Sequence, residues 1–176
     1  MIPRSDLQAE EASHCEVVQL TSGALPSSHL YMEAQIFAPD SSRFLLHESA
    51  TAHGSDKDDP RHRYLVCDLD DNCALRPLIE EVGATAPSVA PDGRYVYYFV
   101  DETKVNGGRL SLRRVPLDGT ERHTLLVVDT PLPGVDRHPR QMHSGHHELG
   151  TFLRHPPLLE SEGGDTKKVP LGAQGG

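Results

Sequence analysis

Five of the eleven histidines crowd into residues 138–155, at His138, His143, His146, His147 and His155. Imidazoles held in fixed geometry suit zinc, manganese, nickel or copper. His138, His143, His146 and His147 are therefore the candidate metal ligands, set against adventitious binding by a proline- and glycine-rich tail. His29 is the candidate substrate-binding residue, the alternative being a histidine on an exposed connecting loop. The acidic run Asp56-Lys57-Asp58-Asp59 lacks the glycine and terminal glutamate of a calcium-hand loop and reads as a solvated loop. Asp68, Asp70, Asp71, Asp101 and Asp118 sit at strand ends, where side-chain turn bonding accounts for them. Arg113 and Arg114 are neighbours on a strand and point to opposite faces, so they form no clamp. There is no Gly-x-Ser-x-Gly elbow, no phosphate loop, no dinucleotide fingerprint and no His-Glu-x-x-His helix. No catalytic residue is assigned from the sequence.

The elements that must position these side chains are strands, and they repeat. AQIFAPDSSRFLLHES (34–49) and PSVAPDGRYVYYFVDE (87–102) share one plan: short apolar strand, Ala-Pro-Asp, tight turn, second apolar strand. YLVCDLDDNCALRPLIEE (64–81) and LSLRRVPLDGTERHTLLVVD (110–129) then match as strand, turn, strand. Pro presets φ and Gly accepts positive φ, so Pro-Asp-Gly and Asp-Gly close tight turns. Tyr95–Val100 is almost continuous in aromatic and β-branched residues, and is expected to be covered on both faces. Four strands repeating at this spacing predict propeller blades, the alternative being hairpins of a β-sandwich. The predicted fold is all-β: an incomplete β-propeller of two four-stranded antiparallel blades. The expected divisions are a polar leader with a short strand (1–31), blade one (32–81), blade two (86–129) and a largely irregular Pro/Gly/His-rich tail (130–176). Residues 1–15 and 156–176 are expected to be mobile for want of apolar surface.

The net charge of −9 opposes a nucleic-acid partner, which needs a basic face. No apolar window is long enough to span a membrane, and the first fifteen residues have no apolar core of a secretory signal. Cys15, Cys67 and Cys73 do not describe a disulfide framework, and Cys67 reads as a small buried hydrophobe. A reducing, cytoplasmic setting is the expectation.

Gln19-Leu20-Thr21, Ser28-His29-Leu30-Tyr31, the Pro-Asp turn and the strand ending His47-Glu48-Ser49 together resemble the opening of the oligogalacturonate lyase family. The Ala-Pro-Asp-Gly-Arg-Tyr-Val stretch also resembles TolB-type propellers. The resemblance covers about residues 17–142. It implies a seven-bladed propeller that cleaves galacturonate oligomers by β-elimination. A base takes the proton α to the uronate carboxylate, and a manganese-like divalent cation neutralises that carboxylate. Metals stabilise such enolate charge directly. Gln141-Met142-His143-Ser144-Gly145-His146-His147 is reminiscent of the family's Gln-x-x-His-x-His ligands but differs in spacing, so the ligand roles are not carried over. The expected function is a fragment of such a lyase, inactive alone, with an oligogalacturonate-type carbohydrate as partner. The alternative is a non-catalytic TolB-like propeller module that binds a protein or a glycan. An open blade flank also predicts self-association.

Overall fold

The computed structural model describes residues 1–7, 16–30, 34–51, 56–104 and 108–130, and the backbone of three further strands beyond them. The strands are β1 (Ile2–Pro3), β2 (Val18–Gln19), β3 (Ser27–His29), β4 (Arg43–Glu48), β5 (Arg63–Asp68), β6 (Ala74–Ile79) and β7 (Ala84–Val89). They continue as β8 (Tyr95–Glu102), β9 (Arg109–Pro116), β10 (His123–Val128), β11 (Pro139–His143), β12 (Leu158–Ser161) and β13 (Thr166–Lys168). Two antiparallel four-stranded meanders follow in chain order, β3-β4-β5-β6 and β7-β8-β9-β10. The fold is all-β, with the two sheets packed face to face as successive blades of an incomplete propeller.

The repeat read from the sequence is a repeat of hydrogen bonds. In the first sheet Ser41 N bonds Ala38 O at 2.9 Å, Ala38 N bonds Arg43 O at 2.8 Å, and Asp40 Oδ1 accepts from Ser42 N at 3.0 Å. In the second, Gly93 N bonds Ala90 O at 2.9 Å, Ala90 N bonds Tyr95 O at 2.8 Å, and Asp92 Oδ1 accepts from Arg94 N at 3.0 Å. Both turns place their fourth residue at positive φ, Ser41 at 60° and Gly93 at 69°. This is a tight turn closed by a left-handed residue. Gly93 adopts that geometry freely, whereas Ser41 carries a Cβ into it.

Strand alternation explains the core. Leu45, Tyr64 and Val66 of the first sheet meet Val96, Tyr98, Val100 and Val115 of the second in one buried cluster. Tyr98 and Val96 are fully buried, and Phe99 on the opposite face of β8 is also buried, at 3% exposed. The strand is thus covered on both faces, as its composition predicts. Phe44, Leu46, Leu65 and Cys67 face away from the second sheet, and Leu20, Leu75 and Cys73 pack against them. Leu20, just after β2 in the leader, therefore lies on the outer face of the first sheet. Covering that face removes part of the apolar flank from which self-association is expected.

Two boundaries differ from the sequence reading. The first sheet begins at Ser27, upstream of residue 32, because Ser27–His29 pairs with Leu46–Glu48 while Phe37 bridges Phe44 further along the same edge of β4. The second begins at Ala84 rather than 86, its edge strand bulging between Thr85 and Ser88 around Ala86 at φ 51°. The short apolar runs at these edges are too broken by polar residues and Pro87 to show alternation. In the leader, β1 pairs with β2, so residues 2–3 are held by backbone bonds; residues 8–15 lie outside the described residues. In the tail, β11, β12 and β13 pair antiparallel as a three-stranded sheet. Backbone pairing there needs no clean side-chain alternation, which is why the composition reads as irregular.

Gly83 joins the two sheets at φ 85°, and a Cβ built there would lie 2.7 Å from Asp101 O. Its N–H bonds Lys57 O at 2.7 Å, and Asp101 N bonds its carbonyl at 2.8 Å. Gly83→Ala is expected to cost at least about 1–2 kcal/mol from the left-handed backbone alone, before the clash with Asp101. Urea unfolding measures it, and an unchanged midpoint would show that the junction does not hold this geometry.

Candidate functional site

The two ends of the paired sheets differ in chemistry. One end carries the Pro-Asp and Asp-Gly turns, where Asp40, Asp92 and Asp118 accept from Ser42, Arg94 and Thr120. Those bonds hold all three carboxyls below the usual carboxylate range. Their acceptors are spent on local backbone, as expected of turn residues. The other end, where the connections β4→β5 and β6→β7 emerge, gathers Ser28, His47, Lys57, His62, Tyr64 and Asp101.

Register brings these groups together. Ser28 pairs with His47, and His47 with Tyr64. Cross-strand partners project from the same face, here the one turned toward the second sheet. His47 Nε2 lies 3.0 Å from His62 Nδ1, and Ser28 Oγ lies 3.4 Å from His47 Nδ1, near the outer limit of a hydrogen bond. The His62 ring meets the Tyr64 ring edge-on at 5.1 Å. His62 is 2% exposed. Its Nε2 has no partner in hydrogen-bond geometry, although the Ala84 backbone lies near enough to raise its basicity. Neutral tautomers follow from these partners: His62 keeps its proton on Nε2, His47 donates from Nε2 to His62 Nδ1, and His47 Nδ1 faces the serine as an acceptor.

Burial, reinforced by the charge of His62, pushes His47 down to about 4. Burial also lowers His62, opposed by the Ala84 backbone and the carboxylates of Asp56 and Asp59. Asp59 itself is held down to about 2 by its hydrogen bonds from Arg61. Burial raises the Tyr64 phenol, partly offset by its bond with Thr85 of the second sheet. At neutral pH the pair is thus uncharged and able to accept a proton. The cations nearby are committed: Lys57 pairs with Asp101, and Arg63 with Glu48 at 2.5 Å.

The sequence-predicted residues fall differently. His29 is exposed on β3, on the opposite face from Ser28, with its Nδ1 against the Leu30 carbonyl. It is not brought to the His47–His62 pair. His138, His146 and His147 lie outside the described residues, as does His155, and His143 is placed only as backbone in β11. Among the described residues no three side chains drawn from His, Cys, Asp and Glu converge to hold a metal. Sequence reasoning missed His47 and His62 because they lie fifteen residues apart across a loop; the signal was a histidine at each end of that loop, just where strands begin and end.

No family model and no curated protein matches the sequence. Among solved structures, the chain is similar to an oligogalacturonate lyase in complex with manganese, at 25% identity and a TM-score of 0.43, covering 60% of this chain and 24% of that one. It is similar to a putative TolB from Agrobacterium tumefaciens at 17% identity and a TM-score of 0.44, covering 85% of this chain and 50% of that one. A TolB from Acinetobacter baumannii matches at 14% identity and a TM-score of 0.44, over 85% and 33% of the respective chains. The chain thus spans between about a quarter and a half of these structures' lengths.

Proposed function

We propose that the chain is a two-blade portion of an oligogalacturonate lyase-like propeller that contacts an acidic sugar at its histidine-bearing end and does not cleave it alone. The observation that supports this reading is the asymmetry between the two ends. The Pro-Asp end spends its polar groups on its own backbone, while the other end presents Ser28 beside a neutral histidine pair. The resemblance of the Ser28-His29-Leu30 segment to the lyase family supports the sugar class. β-Elimination needs both a proton acceptor and a positive group on the uronate carboxylate. His47 can serve as the first. Lys57 and Arg63, two of the cations at this end, are already paired with Asp101 and Glu48.

Titration of the isotope-labelled chain with trigalacturonate is expected to shift the resonances of Ser28, His47 and His62. No ultraviolet absorbance of an unsaturated uronate is expected to develop, with or without manganese. Shifts confined to Asp40, Asp92 and Asp118 would overturn the assignment of the binding end. Metal-dependent product, abolished by His143→Ala or His147→Ala, would show a complete catalytic centre in this chain.

A further inference from the structure

The outer face of the first sheet places two cysteines in one packed cluster and a methionine sulfur beside one of them. Cys67 lies on β5, fully buried, and Cys73 closes the turn between β5 and β6 at φ 56°. Cys73 packs against the cluster of Phe44, Leu46, Leu65 and Cys67. Both cysteines are free. The third sulfur comes from the far end of the described chain. Met1 Sδ lies 3.9 Å from Cys73 Sγ, held there by the pairing of Ile2 and Pro3 with Val18 and Gln19.

We propose that Cys67, Cys73 and Met1 form a binding site for a soft monovalent cation, Cu(I). Thiolate and thioether ligands select this ion over hard cations. With metal–sulfur bonds of about 2.3 Å, three sulfurs around one ion stand about 4.0 Å apart, and Met1 Sδ and Cys73 Sγ are 3.9 Å apart. Two thiolates and one thioether suit a three-coordinate monovalent ion, whereas zinc takes four ligands in a structural site. Binding displaces both thiol protons and leaves a complex of net charge −1. The neighbouring carboxylate of Asp68, which would oppose that charge, is engaged by Arg43 Nε at 2.8 Å. Affinity falls as pH falls, because protons compete with the ion for the sulfurs. The cover of apolar side chains over Cys67 leaves Cys73, half exposed, as the point where the ion enters.

Anaerobic titration of the full chain with Cu(I), in competition with the chromophoric chelator bicinchoninate, tests the site. One equivalent is expected to bind, with a thiolate-to-copper absorption in the ultraviolet. Cys73→Ser is expected to weaken it at least about tenfold, the lower end of what losing even an outer-shell partner costs a metal site. Cys15→Ser is the reference and is expected to bind as the parent does. Cys67→Ala tests the buried ligand, with circular dichroism reporting whether the sheet survives; Cys73→Ser carries the test if it does not. Undiminished binding by Cys73→Ser, loss of binding in Cys15→Ser, or equal preference for zinc would each overturn the proposal.

Discussion

Lys57→Met is expected to lower the unfolding free energy by about 3–5 kcal/mol, because it strands a buried carboxylate. The Asp101 side chain is 2% exposed and Lys57 21%. Burial by itself would raise the Asp101 carboxyl, but its bonds from Lys57 and from the Thr103 hydroxyl and amide outweigh that and hold it below its usual range. Thr103 N and Oγ1 lie 2.9 and 2.6 Å from Asp101 Oδ1, so the loss of Lys57 leaves one oxygen served and the other bare. The pair matters beyond its own energy. Lys57 sits in the loop between β4 and β5, Asp101 near the end of β8, and Gly83 N bonds the Lys57 carbonyl between them. One side chain therefore fastens the first sheet to the second. Arg122, bonding Leu78 O at 2.7 Å, stitches the same seam from its other side. Urea unfolding of Lys57→Met, Asp101→Leu and the double variant measures the coupling. The double variant is expected to lose less than the sum of the singles. A Lys57→Met loss below about 0.5 kcal/mol, the range of ordinary surface changes, would show that the ion pair does not join the sheets.

Acid is expected to begin weakening the fold above the range where carboxylates titrate. His47 falls from 6.5 to about 4 in the folded chain. The folded pKa lies below the unfolded one, so between those values the unfolded chain binds more protons. The contribution is fully present above about pH 6.5 and is lost as pH falls toward 4. Allowing for the partial exposure of His47, it amounts to about 2–3 kcal/mol. His62, lowered chiefly by its burial, acts in the same direction. A second proton on the pair would also set like charges 3.0 Å apart. Urea midpoints recorded at about pH 7.5 and about pH 4.5 should fall for the parent and change far less for His47→Asn. Parallel pH profiles for the two proteins would exclude the histidine pair as the cause. Asp101, held below its ordinary range, adds its own loss only at more acid pH.

Much of the architecture is legible in the amino-acid order because it is local. Ala38-Pro39-Asp40 and Ala90-Pro91-Asp92 dictate their own turns: Pro sets one torsion, and Asp bonds the backbone two residues on, whatever surrounds it. Val96, Tyr98 and Val100 announce a buried face of β8 by alternation, and Tyr97 and Phe99 its other face. Edge strands are less legible. Ser27–His29 is polar, and only the β4 backbone it pairs with makes it a strand. The same limit applies to the sites. A histidine's chemistry is readable from its type, but its partner is chosen by register and loop closure. His47 meets His62 because β4 and β5 pair antiparallel, so the residues flanking their connection return to one another. Met1 reaches Cys73 because the leader folds over the outer face of the first sheet. Composition and spacing determined the inner strands, the turns and the blade repeat; packing between distant segments decided the edge strands and which side chains share a site, because contacts across more than a few residues depend on where the whole chain folds.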